Sequence, residues 1–259
     1  MYLKQLFLTN YKNLYARQFQ FNKKVSCLIG PNGVGKSNVL DAIYHLAFGK
    51  SFFNPNASQN IAFKKDFYAV EGHFEINSRP EKIICSLKKG QKKQLKRNDK
   101  VYEKLADHIG LIPTVMITPI DRDLILEGSQ VRRKFMDGII GQTNSFFLKN
   151  LLDYQKVLSQ RNALLKYFAL NHTFDQKTLE VYDHQLVELS KPLYQARIEF
   201  IAAYLPLFIA RYQFISAAGE EIDLVYSSDL SDQTMEDLLT KNLAKDKLLQ
   251  YTSSGIHKD

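Results

Sequence analysis

Residues 30–37 read Gly-Pro-Asn-Gly-Val-Gly-Lys-Ser. This is the G-x-x-x-x-G-K-[S/T] spacing of a P-loop, which cradles nucleotide phosphates. Each residue type has its own task. Gly30, Gly33 and Gly35 carry no Cβ, so the backbone can turn tightly and aim its N–H groups at an anion. Pro31, Asn32 and Val34 complete the loop and lend their backbone to the same site. The Lys36 ammonium can reach β- and γ-phosphate oxygens, and the Ser37 hydroxyl can ligate Mg²⁺. ATP with Mg²⁺ is the ligand this chemistry fits. A chance match arises in roughly one chain of this length in a hundred, so the flanking elements have to decide.

The flanks match the motif's demands. Val25, Cys27, Leu28 and Ile29 lie in a short apolar run that reads as a buried strand. Val39, Leu40, Ile43, Leu46 and Ala47 recur at helical spacing, and Gly49 can end that helix. Strand, glycine loop and helix would place the positive end of a helix on the phosphates. The competing reading is a plain glycine turn between a strand and a helix.

The chain has 259 residues, a hydrophobic fraction of 45% and a formal net charge of +8, with a pI near 9.2. That balance points to a polyanionic partner, nucleic acid first. No unbroken apolar run of about 18 residues occurs, so no membrane span is expected. The first residues alternate and carry charge early, as a strand does and a signal peptide does not. Cys27 and Cys85 both sit in apolar runs and read as buried free thiols of a reducing cytoplasm.

Leu6 and Leu8, then Phe19 and Phe21, alternate around a turn at 10–13. Tyr68, Val70, Gly72, Phe74 and Ile76 share one face at period two, and Ile83, Cys85 and Leu87 repeat it after a turn at 77–80. Seven of the thirteen residues 88–100 are basic and one is acidic. Lys92, Lys93, Lys96 and Arg97 are its DNA-binding candidates. With no aromatic in the tract, any contact would be to the phosphate backbone. The alternative is a solvated loop whose charges guard a sheet edge. Residues 111–118 form another apolar run, read as a strand ending at Thr118 and closed by Pro119.

From Ser129 the pattern turns helical. Ser129 caps one helix, leucines through Leu165 mark a second, and a third runs past Leu179 with a kink near Pro192 and a bend or end at Pro206. Ile222, Leu224 and Tyr226 read as a strand, and Ser231 as the cap of a last helix. The expected domains are an ATP-binding α/β lobe over 1–120, a helical lobe over 121–216 and a return toward the ATPase lobe over 217–259.

Several segments together resemble the RecF family, recombination mediators among the SMC-like, ABC-type ATPases. They are Leu-Thr-Asn-Tyr-Lys-Asn-Leu at 8–14, the P-loop, Leu-Asp-Ala-Ile-Tyr at 40–44 and Ile-Thr-Pro at 117–119. Arg-Arg-Lys-Phe-Met-Asp at 132–137, Gln-Arg-Asn-Ala-Leu at 160–164 and Thr-Ser-Ser-Gly-Ile-His-Lys-Asp at 252–259 complete the set. The resemblance implies an α/β P-loop ABC-type ATPase head lobe with an antiparallel β subdomain and an inserted helical lobe. It implies ATP sandwiched in a homodimer that clamps DNA at single-strand/double-strand junctions and works with RecR to load RecA. Lys12 and Asn13 match the family turn that lies near the nucleotide, against the alternative of a surface turn.

One departure is marked. The family's L-S-x-G-Q loop, and the apolar strand ending in two acids that follows it, do not occur before Asp259. The resemblance thus covers the N-terminal portion, and the head lobe is expected to be incomplete at its C-terminus. ATP is expected to bind without being hydrolysed, since no credible metal-holding acid is present. Asp121 is a weak catalytic candidate, with a helix-start acid as the rival reading. Residues 123–127, Asp-Leu-Ile-Leu-Glu, imitate a strand with a terminal acid but read as a turn. Arg132 and Arg133 at a helix start call for an acidic partner, an internal carboxylate before DNA. An unrelated P-loop kinase of a small molecule, with the helices as its lid, is the alternative function.

Overall fold

A computed structural model describes residues 1–216 and 219–259. The expected boundary at 217 falls on Ala217 and Ala218, outside the described residues. The chain divides into two units, Met1–Met116 and Ile117–Asp259.

The first unit holds β1 (Tyr2–Tyr11), β2 (Leu14–Gln20), α1 (Lys36–Phe48), β3 (Phe67–Ile76), β4 (Arg79–Lys88), β5 (Gln94–Arg97) and β6 (Lys100–Val101). The strands form one antiparallel sheet in the order β2-β1-β3-β4-β5-β6. Two of its turns place both central residues at positive φ: Asn77 and Ser78 at 49° and 60°, Asn98 and Asp99 at 48° and 67°. Such turns match the twist of the strands they join, and Asn and Asp tolerate the conformation best.

Period-two alternation sends Leu6, Leu8, Tyr68, Val70, Phe74, Ile83, Cys85 and Leu95 to one buried face. Val39, Ala42 and Leu46 of α1 cover it. Gly72 permits the close crossing, because a Cβ there would lie 2.5 Å from Leu46 Cδ1. The basic tract is not a loop throughout. It contains β5, the Asn98–Asp99 turn and the start of β6.

Three expected strands are absent from the described residues. Residues 25–29, 113–118 and 222–226 form no strand ladder, and Val25, Ile29, Val115, Ile117 and Val225 are exposed. A strand exists by its hydrogen-bond ladder. None of the six strands is paired with these runs. Cys27 is consequently exposed, contrary to the expectation, while Cys85 is buried. Burial pushes the Cys85 thiol up to about 12.

The second unit holds α2 (Asp123–Leu126), α3 (Ser129–Thr143), α4 (Ser145–Leu170), α5 (Gln176–Ser216) and α6 (Met235–Leu249). The cap positions differ from those expected. Ser129 is the first residue of α3, after Gly128. Thr234 caps α6 in a reciprocal pair with Asp237, while Ser231 ends a 3-10 turn. Pro192 and Pro206 lie inside α5 without ending it. Each proline removes one backbone bond, but a helix packed against α4 and carrying buried Leu179, Leu186 and Leu193 retains its remaining ladder.

By length and composition α5 could cross a membrane. No unbroken apolar run marks it in the sequence, because Tyr204, Pro206, Arg211 and Tyr212 interrupt the run.

Two buried arginines tie this unit to its last residues. Arg161 donates to Asp183 at 2.5 Å, Asp246 at 2.8 Å and Thr252 Oγ1 at 2.9 Å. Asn162 Oδ1 accepts from the Thr252 amide and hydroxyl, both at 2.8 Å. Arg197 binds Asp137 through two bonds of 2.9 Å, and reaches Ile256 O at 2.7 Å and Asp259 at 3.1 Å. The 132–137, 160–164 and 252–259 segments are thus parts of one scaffold.

Arg132 and Arg133 do not meet carboxylates as expected. Arg132 donates to the carbonyls of Leu124 and Glu127, Arg133 to Ser129 Oγ and the carbonyl of His257. The nearby Asp137 is already engaged by Arg197.

Burial chiefly holds His45 neutral, its pKa lowered to about 3, and His257 likewise, to about 4. Both folded values lie below the ordinary 6.5, so the unfolded chain takes up protons first as pH falls. Stability is therefore full above pH 6.5 and is lost toward the folded values, by about 2 kcal/mol per histidine at pH 5. Urea midpoints followed from pH 8 to 5 should fall, and His257→Gln should flatten the fall of the helical unit. A flat profile in the parent chain would contradict the assignment.

Candidate functional site

The loop at 30–37 leads directly into α1. Gly35 is the residue before the helix, at φ 104°, and no side chain caps the helix start. The first turn also carries no acidic residue. The amide dipoles there are left for an anion. Pro31, Asn32, Gly33 and Val34 are exposed, as is Ser37. Lys36 Nζ donates to the carbonyls of Gly30 at 2.7 Å and Pro31 at 2.8 Å. Its ammonium therefore already lies against the loop, with a third proton unassigned.

Asn13 is the second wall. Its Nδ2 donates to Gly33 O at 3.0 Å, and its Oδ1 accepts from Asn38 Nδ2 at 2.8 Å. A Cβ on Gly35 would lie 2.7 Å from Asn13 Oδ1 and 2.9 Å from Leu14 Cδ2. The glycine is required here both by its φ and by the side chain beside it.

Lys12 is oriented elsewhere. Its Nζ lies 2.6 Å from Asp41 Oδ2, and the carboxylate has no exposed surface. Tyr11 OH at 2.6 Å, Ser51 Oγ at 2.7 Å and Phe52 N at 2.6 Å also donate to Asp41. Burial opposes the charge on Asp41, but the hydrogen bonds from Lys12, Tyr11 and Ser51 outweigh it and hold the carboxyl below its usual range. In the sequence Asp41 stood out only as part of a family segment. Its signal was an acid at the helical spacing of Ala42, Leu46 and the other core residues of α1.

The remaining candidates divide. Lys93 Nζ donates to Gly49 O at the end of α1. Arg97 forms a two-bond pair with Glu81 at 2.6 and 2.9 Å. Lys92 is exposed and Lys96 half-buried. Asp121 belongs to the helical unit, where its carboxylate accepts from the Thr118 amide at the head of a 3-10 turn. Residues 123–126 form a helical turn and Glu127 is extended, so this segment is no strand. No cluster of three His, Cys, Asp or Glu suited to a metal occurs among the described residues.

A family model described as an AAA ATPase domain matches residues 1–250. The chain is 55% identical over 259 residues to the DNA replication and repair protein RecF of Flavobacterium johnsoniae, covering 100% of this chain and 72% of the relative. The belonging is plain. This chain is a member of the RecF family. RecF of Phocaeicola vulgatus is 41% identical over 260 residues, with 100% and 69% of the two chains covered. Two solved structures of the recombination mediator protein RecF of the RecFOR pathway, RecF-ATPrS and RecF-ATP, are also similar. They are 29% and 28% identical with TM-scores of 0.90 and 0.89, each match covering 99% of this chain and 71% of that one. The chain thus spans roughly seven-tenths of the length of its RecF relatives. RecF membership, resting on the whole chain, displaces the small-molecule kinase alternative.

Two glycines of the loop separate strain from crowding. Gly33 is at φ 82° with nothing within 4 Å of the place a Cβ would occupy, whereas Gly35 is at φ 104° with Asn13 in the way. Gly33→Ala should cost about 1 kcal/mol from backbone conformation alone. Gly35→Ala should cost about 2–3 kcal/mol because the Asn13 clamp must also yield. Urea unfolding compares them, and equal costs would show that Asn13 is not held.

Proposed function

We propose that this chain binds ATP at residues 30–37 and serves recombinational DNA repair and replication-fork maintenance in the cytoplasm. The observation that carries the ATP assignment is the loop closed by Lys36 on Gly30 and Pro31 before an uncapped helix start. Gly30, Pro31, Asn32, Gly33, Val34 and Gly35 supply backbone groups, Lys36 supplies charge, and Asn13 fixes the loop from outside. Lys12 is committed to Asp41 and acts on the site indirectly. A Mg²⁺ ion held by Ser37 Oγ would offset phosphate charge. RecF relatives named for DNA replication and repair support that wider role; within it we place DNA binding at single-strand/double-strand junctions, an ATP-dependent homodimer, and RecA loading with RecR, as the family resemblance implies.

Charge supports a nucleic-acid partner for the first unit. Residues 1–116 carry 19 Lys and Arg against 8 Asp and Glu, a net of +11. Residues 117–259 carry 16 against 19, a net of −3. Within the basic tract, Lys92 and Lys96 have no carboxylate or carbonyl partner in hand among the described residues, while Lys93 and Arg97 serve the fold.

Lys36→Ala should abolish tight ATP binding and leave the fold intact, because the backbone loop without its ammonium is a weaker phosphate site. Calorimetric titration with Mg²⁺ reads this, and equal affinity for parent and variant would refute the assignment. In the same protein, phosphate release with ATP, Mg²⁺ and DNA should stay at the Lys36→Ala background. Turnover that depends on Lys36 would place a catalytic acid inside this chain, with Asp121 the first to test.

DNA affinity should fall with salt at a slope of about −0.9 per neutralised phosphate in log K against log salt on duplex DNA. Lys92→Gln with Lys96→Gln should flatten that slope by about 2, whereas Arg97→Gln should chiefly lower stability through Glu81. An unchanged slope in the double variant would leave the tract as a solvated edge.

A further inference from the structure

Asp41 sits on α1, and its carboxylate takes its hydrogen bonds from residues outside the loop at 30–37. Its carboxylate joins three separate segments. Tyr11 and Lys12 come from the β1–β2 hairpin, Ser51 and Phe52 from the chain after α1, and the acid itself from the helix. Lys12 is held at φ 52°, a left-handed conformation costly for a lysine. The 2.6 Å ion pair with Asp41 stabilises it there.

The proton arrangement gives the cluster a direction. Tyr11 OH donates to Asp41, so its oxygen accepts from His45 Nδ1 at 3.1 Å. His45 Nε2 is then the acceptor for Tyr68 OH, also at 3.1 Å. One pattern of donors satisfies every member, which fixes Tyr11 and Lys12 together.

Asn13 is the next residue along. Backbone bonds from Lys12 N to Asn60 O and from Ala62 N to Asn10 O, both 2.8 Å, hold the strand ends. They do not set where the Asn13 side chain goes. With Lys12 anchored, Asn13 bridges Gly33 O and Asn38 Nδ2. A planar peptide whose carbonyl is tied to Asn13 must point its N–H, that of Val34, the opposite way.

We propose that Asp41 is a positioning residue for the phosphate site: by anchoring Lys12 and Tyr11 it directs Asn13 onto Gly33 and presets the loop's peptide orientation. The consequence for affinity rests on the reading of residues 30–37 as the ATP site. The positioning itself does not.

Two measurements separate the two. Amide chemical shifts of Val34 and Gly35 in the nucleotide-free chain read the orientation of the loop peptide, and calorimetry with ATP and Mg²⁺ reads the site. Asp41→Asn should move both resonances toward their positions in Asn13→Ala and weaken ATP binding about fivefold. Asn13→Ala should weaken it as much. The double variant should match Asn13→Ala alone, since both changes act through one contact. Tyr11→Phe removes a single donor, keeps the ion pair and guards against misfolding of Asp41→Asn; it should move the same resonances in the same direction, by about a third as much. Unmoved Val34 and Gly35 resonances in Tyr11→Phe, or effects of Asp41→Asn and Asn13→Ala that add in full, would overturn the proposal. Shifted resonances in a chain that binds no ATP at all would uphold the positioning and refute the nucleotide reading.

Discussion

A charge removed from water has to be met by fixed partners, and this fold is organised around such charges. Among the described residues they are Asp41 in the α/β unit, and Arg161 with its partner Asp246, and Arg197, in the helical unit. Each gathers segments distant in sequence. Asp41 joins the first hairpin, α1 and the chain after it. Arg161 joins α4, α5, α6 and Thr252, and Arg197 joins α3, α5 and the last residues. Apolar packing supplies the bulk of the cohesion, but it would tolerate small sliding of the elements. Buried ion pairs with two or more directed bonds tolerate far less.

The phosphate loop illustrates how such a constraint reaches function. The loop is exposed and glycine-rich, which by itself favours many conformations. Its order comes from outside: Lys36 folded back on two carbonyls, and Asn13 wedged beside Gly35. Asn13 in turn depends on a turn whose neighbour Lys12 is committed to a buried acid. The loop proposed to hold phosphate is thus linked to a buried charge whose own hydrogen-bond partners lie outside it.

The RecF-family segments in the helical unit acquire a physical meaning from the same principle. The Arg-Arg-Lys-Phe-Met-Asp, Gln-Arg-Asn-Ala-Leu and Thr-Ser-Ser-Gly-Ile-His-Lys-Asp stretches lie far apart in the chain. In space they are donors and acceptors of one another, through Arg161 with Thr252, Asn162 with Thr252 and Arg133 with the His257 carbonyl. Nothing in their spacing announced which residues would meet.

Local rules in the sequence determined the elements whose order is short-range. The P-loop and α1, the β1–β2 and β3–β4 hairpins, the period-two core face and the long helices follow from glycine positions, alternation and helical spacing over a few residues. Tertiary structure decided what depends on a distant neighbour. The runs at 25–29, 113–118 and 222–226 have strand-like composition, but a strand requires a paired neighbour, and the described sheet pairs its six strands only with one another. Pro192 and Pro206 signal a break, yet α5 continues because packing outweighs the bonds they remove. Arg97 and Lys93 look like free basic groups until Glu81 and Gly49 O are placed beside them. Asp41 looks like an ordinary helix acid until four donors converge on it. Composition states which charges exist; only the fold states which of them are already answered.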